Sequence, residues 1–269
     1  MEEILYISKK SLSVEKVLLS KGLLTGEFPF TTTRISNGHI CLWDYHRRRL
    51  EKTISHLYGA ELVEETLALI EMALDKTLIE ANKVASAYLR ITLFKDGDGD
   101  LVFFLWVMEK MPEKNILKLK AIKNDHYSGQ PLFIKMSDYS YTFSQREIAK
   151  KSGLDDILFF NDQDEILDLS TSSLVLEKEG VFYFSELVPG ILDGVTRGAF
   201  QNFLAEKNLR FVENKILYSQ LGDFDCAFAL NSFSAVRNIS LIDEFEYNVG
   251  KYTNLLSEFD LFFRGKSYE

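Results

Sequence analysis

The chain has 269 residues, of which 46% are hydrophobic and 26% charged, a balance that excludes a disordered or fibrous protein. Its formal charge of −9 at pH 7 argues against a nucleic-acid surface, which needs a basic face to displace counterions from phosphate. We therefore expect a small-molecule substrate and no nucleic-acid partner.

The first predicted elements are strands. ILYIS near the start and FPFTTTRI, Phe28 to Ile35, are rich in aromatic and β-branched residues, which favour extended structure. The Asn37-Gly38 pair is a hairpin turn signal, so HICLW is expected to pair back on the preceding strand.

Two helices are predicted next. The stretch DYHRRRLEKTISHLYG begins with Asp44, a residue suited to the N-cap, and reaches Gly59 at its end. From Glu61 to Ala81 apolar residues recur at helical spacing, which indicates a second helix.

A hairpin follows the helices. SAYLRITLF and LVFFLWVME flank KDGDGD and predict two antiparallel strands joined by a tight loop. Its aspartates resemble the start of a calcium loop, but Leu101 and Val107 stand where an EF-hand needs glycine and glutamate. We predict a turn and no metal.

The polar stretch MPEKN, Met111 to Asn115, marks a boundary between two domains. We predict an α/β (α+β) protein with a small N-terminal domain, 1–115, and a larger C-terminal domain, 116–269. Helices are expected to begin near Gly194 and to run from about Tyr252 to Phe263.

Cellular context is indicated by the cysteines and by hydropathy. Cys41 and Cys226 are too few for a disulfide framework, and neither lies in a CxxC pair, so we expect buried thiols in a reducing compartment. The start of the chain lacks the apolar core of a secretory signal. The longest apolar run, Leu101 to Met108, is far shorter than the about 20 residues of a membrane-spanning helix. We expect a cytoplasmic protein without membrane contact.

The candidate site centres on Lys135, which directly follows the apolar run of PLFIK as if it ended a buried strand. An isolated lysine is usually solvated, so further residues must support a role. Gly153 to Leu176 contains Asp168 and a run of small hydroxyl residues, and Gly194 opens a helix whose N-terminus suits phosphate. An amine, a carboxylate and a phosphate cradle together suggest pyridoxal phosphate.

With these motifs the sequence resembles the class IV, or fold-type IV, pyridoxal-phosphate enzymes. That family includes branched-chain aminotransferases, D-amino-acid aminotransferases and aminodeoxychorismate lyases. The resemblance covers nearly the whole chain and implies a two-domain fold with the active site in the cleft between the domains. It also implies a homodimer.

The resemblance rests on five segments in order: HRRRL, IKMSDY, LDDILFFNDQDEILDLSTSS, GVTR and FALNSFSAVRNI. It makes Lys135 the Schiff-base lysine. The further cofactor-binding residues that it implies are Arg49, Tyr139, Asp168, Ser172, Val195, Thr196 and Ser232. Taken singly, Arg49, Tyr139 and Ser232 would be ordinary surface or packing residues.

The sequence also departs from the family pattern. Asp168 stands where the family has glutamate, so its carboxylate is one methylene shorter, and Ser173 replaces the usual asparagine. The glycine-aspartate pattern that normally precedes the first motif is absent from TGEFPF. These departures leave open reduced activity or an unusual substrate, and also a decayed, non-catalytic site.

The choice of chemistry rests on FTTTR, Phe30 to Arg34. It resembles the FTTAR segment of aminodeoxychorismate lyases, whereas the family's aminotransferases usually have glutamate directly after the phenylalanine. The resemblance makes Thr32 a catalytic partner of Lys135, and Lys95 and Arg90 candidates for the substrate carboxylates. We predict a lyase that releases pyruvate and 4-aminobenzoate from 4-amino-4-deoxychorismate, a step of folate biosynthesis. The alternative is an aminotransferase acting on a D-amino acid or a branched-chain amino acid.

Overall fold

The computed structural model describes residues 4–8, 14–81, 85–110, 115–124 and 131–265. The chain divides into two compact units, Met1–Pro112 with Phe133–Asp138, and Glu113–Leu132 with Tyr139–Glu269. The predicted boundary falls on 111–115, of which 111–114 lie outside the described residues. The segment around Lys135 belongs to the first unit, although the boundaries 1–115 and 116–269 assign it to the second domain.

The described strands of the first unit form one antiparallel sheet in the order β1-β5-β4-β2-β3. These strands are β1 (Ile4–Ile7), β2 (Phe30–Ser36), β3 (His39–Ile40), β4 (Ser86–Lys95) and β5 (Leu101–Glu109). The helices of this unit are α1 (Val14–Leu18), α2 (Lys21–Thr25), α3 (Trp43–Leu57) and α4 (Val63–Ala81), with a 3₁₀ turn at Ala60–Leu62.

The sheet of the first unit has two chemically different faces. Because side chains alternate along a strand, odd-numbered residues of β4 such as Leu89, Ile91 and Leu93 share one face. These residues belong to the same buried core as Leu50 of α3 and Leu67 of α4. The even-numbered residues of β2 and β4 point to the opposite face, which carries polar and aromatic side chains.

The start of α3 differs from the prediction. The N-cap residue is Leu42, which adopts the left-handed region with φ 55°, and not Asp44, which lies in the first helical turn. There its carboxylate complements the positive end of the helix dipole. The chain arrives from the hairpin turn at Asn37-Gly38, whose φ angles of 49° and 78° confirm that turn signal. The helix is followed, as predicted, by Gly59, whose φ of 122° favours glycine.

The hairpin of β4 and β5 confirms the prediction from SAYLRITLF and LVFFLWVME. In its loop, one carboxylate oxygen of Asp96 accepts the backbone N–H groups of Asp98 and Asp100 at 3.0 and 3.1 Å. Carboxylate oxygens of these three aspartates lie within 4.8 Å of one another. Since the Asp96 carboxylate closes the turn on itself, these contacts are those of a hydrogen-bonded loop.

The second unit contains a larger mixed sheet with the strand order β11-β10-β9-β12-β13-β6-β7-β8, and β14 pairs with β13. These strands are β6 (Ile116–Lys123), β7 (Asp156–Phe160), β8 (Ile166–Leu169), β9 (Ser173–Lys178), β10 (Val181–Ser185), β11 (Arg210–Asn214), β12 (Cys226–Asn231), β13 (Ala235–Ile242) and β14 (Phe245–Glu246). The helices are α5 (Ser140–Lys151), α6 (Val195–Glu206) and α7 (Thr253–Phe263), with a 3₁₀ helix at Tyr218–Asp223.

The sheet of the second unit is buried on both faces at its centre, since the first five residues of β9 are all buried. Aromatic rings fill one side, where Phe200 of α6 meets Phe259 of α7 edge-on with 4.7 Å between centroids. Strands and helices thus alternate as the sequence predicts, and the mixed α/β class is confirmed. Within the described ranges, no helix is long and apolar enough to cross a membrane.

Candidate active site

Lys135 lies in an irregular segment, so the prediction that it ends a strand is wrong. The backbone N–H of Phe30 donates to the carbonyl oxygen of Lys135 at 2.8 Å, and Pro29 forms an isolated antiparallel bridge with Met136. The preceding apolar run is explained by packing instead of sheet pairing, since Ile134 is buried. This bridge attaches Lys135 to the start of β2.

Two cationic side chains approach the ring of Phe30. The Nζ atom of Lys135 lies 4.9 Å from the ring centroid, and the Cζ atom of Arg90 lies 3.8 Å from it. Arg90 donates to the hydroxyl of Ser137 at 2.6 Å, and that hydroxyl donates to the carbonyl oxygen of Phe28 at 2.7 Å. The segment that carries Lys135 therefore also fixes the orientation of Arg90.

Thr32 lies beside Arg90 on the face of the sheet away from α3 and α4. The two residues are register partners in β2 and β4, and Tyr88 shares hydrogen bonds with both. Burial raises the pKa of the Tyr88 hydroxyl, although the charge of Arg90 and these hydrogen bonds oppose that effect. Tyr88 was not singled out from the sequence, yet the Tyr-x-Arg spacing in a strand places both side chains on one face.

Lys95 is not brought together with Arg90. It has the opposite parity in β4, and its Nζ atom lies 5.9 Å from the centroid of the Tyr58 ring. Tyr58 belongs to the core that packs against the helices. Lys95 therefore lies on the helix side of the sheet, whereas Thr32 and Arg90 lie on the other side.

Arg49 is buried on α3, one helical turn after His46. The Nδ1 atom of His46 lies 2.6 Å from the hydroxyl oxygen of Thr31. Burial holds the pKa of His46 well below its usual 6.5, and the positive charges of Arg49 and Lys135 lower it further. Arg49 and Lys135 therefore act on the same buried ring.

In the second unit, the N-terminus of α6 and the side chains beside it form a group of hydrogen-bond donors, the cradle, of the kind that suits an anion. The N-cap of α6 is Gly194, and the N–H groups of the first turn have no partner within the helix. The hydroxyl oxygens of Thr196 and Ser232 lie 3.1 Å apart beside this helix start. Val195 and Thr196 are buried, so the predicted phosphate residues Val195, Thr196 and Ser232 are brought together.

The cradle is held rigidly by its surroundings. Arg197 is buried and donates to the carbonyl oxygen of Ser185 at 2.7 Å and to Glu213 at 3.0 Å. A side chain at Gly194 would place its Cβ 3.0 Å from the hydroxyl oxygen of Ser173. The amide oxygen of Asn231 accepts backbone N–H groups of the turn that contains Ser232.

Of the remaining predicted residues of the second unit, Ser172 is linked through Asn231 to the turn of Ser232, whereas Asp168 and Tyr139 have other partners. Asp168 is half-buried on β8, where its Oδ2 atom accepts the backbone N–H of Leu192 at 3.0 Å. The hydroxyl oxygen of Ser172 accepts hydrogen bonds from Asn231 at 3.1 Å and from Arg237 at 3.3 Å. Tyr139 precedes α5, and its ring stacks on Phe143 with 5.3 Å between centroids.

The family model of the class IV aminotransferases ("Amino-transferase class IV") matches residues 29–242. The chain therefore belongs to this family of pyridoxal-phosphate enzymes. A comparison with curated proteins finds no match.

Several solved structures share the fold. The pyridoxal-phosphate-bound form of a hypothetical aminotransferase from Mycobacterium tuberculosis has a TM-score of 0.79 at 14% identity, covering 95% of this chain and 96% of that chain. The 4-amino-4-deoxychorismate lyase from Pseudomonas aeruginosa has a TM-score of 0.77 at 16% identity, covering 95% of this chain and 97% of that chain. The branched-chain aminotransferase from Escherichia coli has a TM-score of 0.79 at 16% identity, covering 99% of this chain and 96% of that chain. At these identities the likeness establishes the fold-type IV architecture.

Proposed function

We propose that the chain binds pyridoxal phosphate and acts as a 4-amino-4-deoxychorismate lyase. The observation that carries the lyase assignment is the pair of threonines in FTTTR. Thr31 binds His46 at the place where the family's aminotransferases usually have glutamate, and Thr32 joins Tyr88 and Arg90 on the opposite face of the sheet.

Each unit, taken by itself, carries groups of the kind that hold the cofactor. In the first unit these are the Lys135 amine and the buried Arg49 guanidinium, and in the second the Asp168 carboxylate. The helix start at Gly194 and the hydroxyls of Thr196 and Ser232 provide uncharged donors for a phosphate. When bound, pyridoxal phosphate supplies an electron sink for negative charge at the carbon that bears the substrate amine.

Each residue near Phe30 then has a defined task. Lys135 removes the proton from the amine-bearing carbon, and Thr32 assists in moving that proton. Arg90 binds a substrate carboxylate, since Ser137 and the Phe30 ring hold its guanidinium in one orientation before substrate arrives. Loss of pyruvate leaves an aromatic ring, and aromatisation drives the reaction forward.

An aminotransferase acting on a D-amino acid or a branched-chain amino acid is the second candidate. Arg90, fixed by Ser137, is sufficient to bind the single carboxylate of an apolar amino acid. Such an enzyme would convert the cofactor to its amine form when given an amino acid alone. The lyase turns over without any keto acid.

The deciding experiment measures 4-aminobenzoate by fluorescence from freshly generated 4-amino-4-deoxychorismate, with pyridoxal phosphate and no keto acid. We expect product from the wild-type protein and from Lys150→Ala, a surface lysine paired with Glu147, and none from Lys135→Ala. Cofactor binding without product would refute the lyase and direct an amino-donor screen. Failure to bind the cofactor would refute both activities and favour a decayed site.

Thr32 has a matched control in the same strand. Thr33 is buried on the other face, where its hydroxyl donates to the carbonyl oxygen of Cys41 at 2.7 Å. We expect Thr32→Val to lower kcat by about 10²-fold or more, the usual effect of losing a proton-transfer group, and Thr33→Val to leave kcat within about twofold. Equal effects of the two substitutions would remove Thr32 from the mechanism.

We further propose that the chain forms a homodimer in the cytoplasm, as its resemblance to the family implies. Light scattering from the purified protein should then give twice the chain mass of 31.0 kDa. A particle of a single chain mass at assay concentrations would contradict the dimer.

A further inference from the structure

His46 contains a buried polar atom that the described residues leave without a partner. Its side chain is 0% exposed, and Nδ1 lies 2.6 Å from the hydroxyl oxygen of Thr31. The other ring nitrogen, Nε2, has no hydrogen-bond partner within the described part of the chain. An unsatisfied buried polar atom is unfavourable, so a hydrogen-bond acceptor brought by a bound molecule would stabilise this ring.

The surroundings of His46 indicate what kind of molecule that is. Arg49, one helical turn further on α3, and Lys135 both act on the ring with positive charge. Together with burial, these charges lower the pKa of His46, so the ring is neutral and carries one N–H. A neutral N–H beside two cations is complementary to an anion.

We propose that the Nε2–H of His46 donates a hydrogen bond to the phosphate of the cofactor, and that Thr31 fixes this tautomer by donating its hydroxyl proton to Nδ1. The inference rests on the proposed function, since it requires pyridoxal phosphate as the ligand. His46 is then a cofactor-binding residue that orients the phosphate without adding a positive charge, and Thr31 is a positioning residue that acts through His46. Thr31 is also the residue by which FTTTR differs from the aminotransferase pattern, so this role would explain the difference.

The first test compares the affinities for pyridoxal phosphate and for pyridoxal, which lacks the phosphate. We expect His46→Leu to weaken pyridoxal phosphate binding by about 10- to 100-fold, the effect of one hydrogen bond to a charged group. Its pyridoxal affinity should change by less than about twofold. Equal losses for both ligands would make His46 a structural residue and overturn the inference. If wild-type protein binds neither ligand, the proposed function itself fails.

Thr31 and Thr33 provide a matched pair of substitutions. Both are buried on the same face of β2, but Thr33 donates to Cys41 and does not contact His46. Thr31→Val should weaken pyridoxal phosphate binding by roughly 3- to 10-fold because the ring loses its preferred tautomer. Thr33→Val should leave that affinity unchanged. Equal effects of the two substitutions would exclude the positioning role of Thr31.

A second measurement observes the proton in the wild-type protein itself, and a variant serves only to assign the signal. Nitrogen-15 NMR of wild-type protein labelled at its 4 histidines reports which ring nitrogen carries the proton, and His46→Leu or His46→Gln assigns the signal. We expect a proton on Nε2 and none on Nδ1, with the Nε2 signal shifting on addition of pyridoxal phosphate but not of pyridoxal. A proton on Nδ1 in the complex, or on both nitrogens, would refute the proposed hydrogen bond.

Discussion

Gly194→Ala is a direct test of the cradle at the start of α6. The new Cβ would lie 3.0 Å from the hydroxyl oxygen of Ser173 and 3.4 Å from the Cβ of Arg197. Ordinary contacts begin at 3.4 Å, so the groups must separate by 3.4 minus 3.0, or about 0.4 Å. Ser173 is buried and Arg197 is anchored, which leaves little room for that movement.

We expect this overpacking to lower the free energy of unfolding by about 1–3 kcal/mol. For a chain of this size that corresponds to a fall in Tm of roughly 2–5 °C. A shift of the helix start also disturbs the 3.1 Å contact between Thr196 and Ser232. We therefore expect pyridoxal phosphate affinity to fall by about tenfold, as for the loss of one hydrogen bond to a charged group.

Thermal unfolding and cofactor titration check both effects. The double variant Gly194→Ala/Ser173→Ala, which removes the opposing oxygen, should recover most of the lost stability. Gly250→Ala is the control, because its Cβ meets nothing closer than 3.7 Å. An unchanged Tm in Gly194→Ala, or no recovery in the double variant, would refute the packing argument.

Three further predictions concern single side chains. Lys135→Ala should abolish the absorbance band of the lysine-bound cofactor, and a retained band in its spectrum would exclude Lys135 as the attachment point. Lys251→Met should lower the free energy of unfolding by about 3 kcal/mol in urea titrations, because Lys251 lies 2.9 Å from the fully buried carboxylate of Glu177. Lys215→Met, which breaks a more exposed ion pair, should cost less than about 1 kcal/mol, and equal losses would contradict the burial argument. His46 has a lowered pKa in the folded state, so the unfolded chain binds more protons as pH falls below 6.5. The free energy of unfolding of the wild-type protein should then fall by up to about 1.4 kcal/mol per pH unit relative to that of His46→Leu. If the free energies of the two proteins, measured by urea titration at several pH values, change in parallel, the prediction is wrong.

Elements with strong local signals were predictable from the sequence. The hairpin of β4 and β5 follows from two alternating strands around a polar loop, and the Asn37-Gly38 turn follows from two residues that tolerate positive φ. The start of α6 follows from Gly194, the residue immediately before it. In each case the determining interactions lie within a few residues of one another along the chain.

Features that depend on distant pairing were not predictable. Leu42 takes the N-cap of α3 because the hairpin delivers the chain there in a left-handed conformation, against its side-chain preference. The apolar run before Lys135 has the composition of a strand but is buried without pairing. The pairing falls at Met136, and its partner, Pro29, lies about a hundred residues earlier in the chain. The separation of Lys95 from Arg90 could have been predicted from the sequence, because residues five positions apart on one strand point to opposite faces of the sheet.

The bridge between Met136 and Pro29 has a consequence for how the protein is synthesised. The first unit is not encoded by one continuous stretch, because Phe133–Asp138 emerges from the ribosome only after β6 of the second unit. Until that segment is synthesised, the backbone N–H of Phe30 lacks its acceptor, the carbonyl oxygen of Lys135. A nascent chain stalled at residue 115 should therefore be more sensitive to protease at the start of β2 than one stalled beyond Asp138. The same constraint applies to recombination between genes. A crossover near residue 115 would separate β2 from Phe133–Asp138, the segment that pairs with its start.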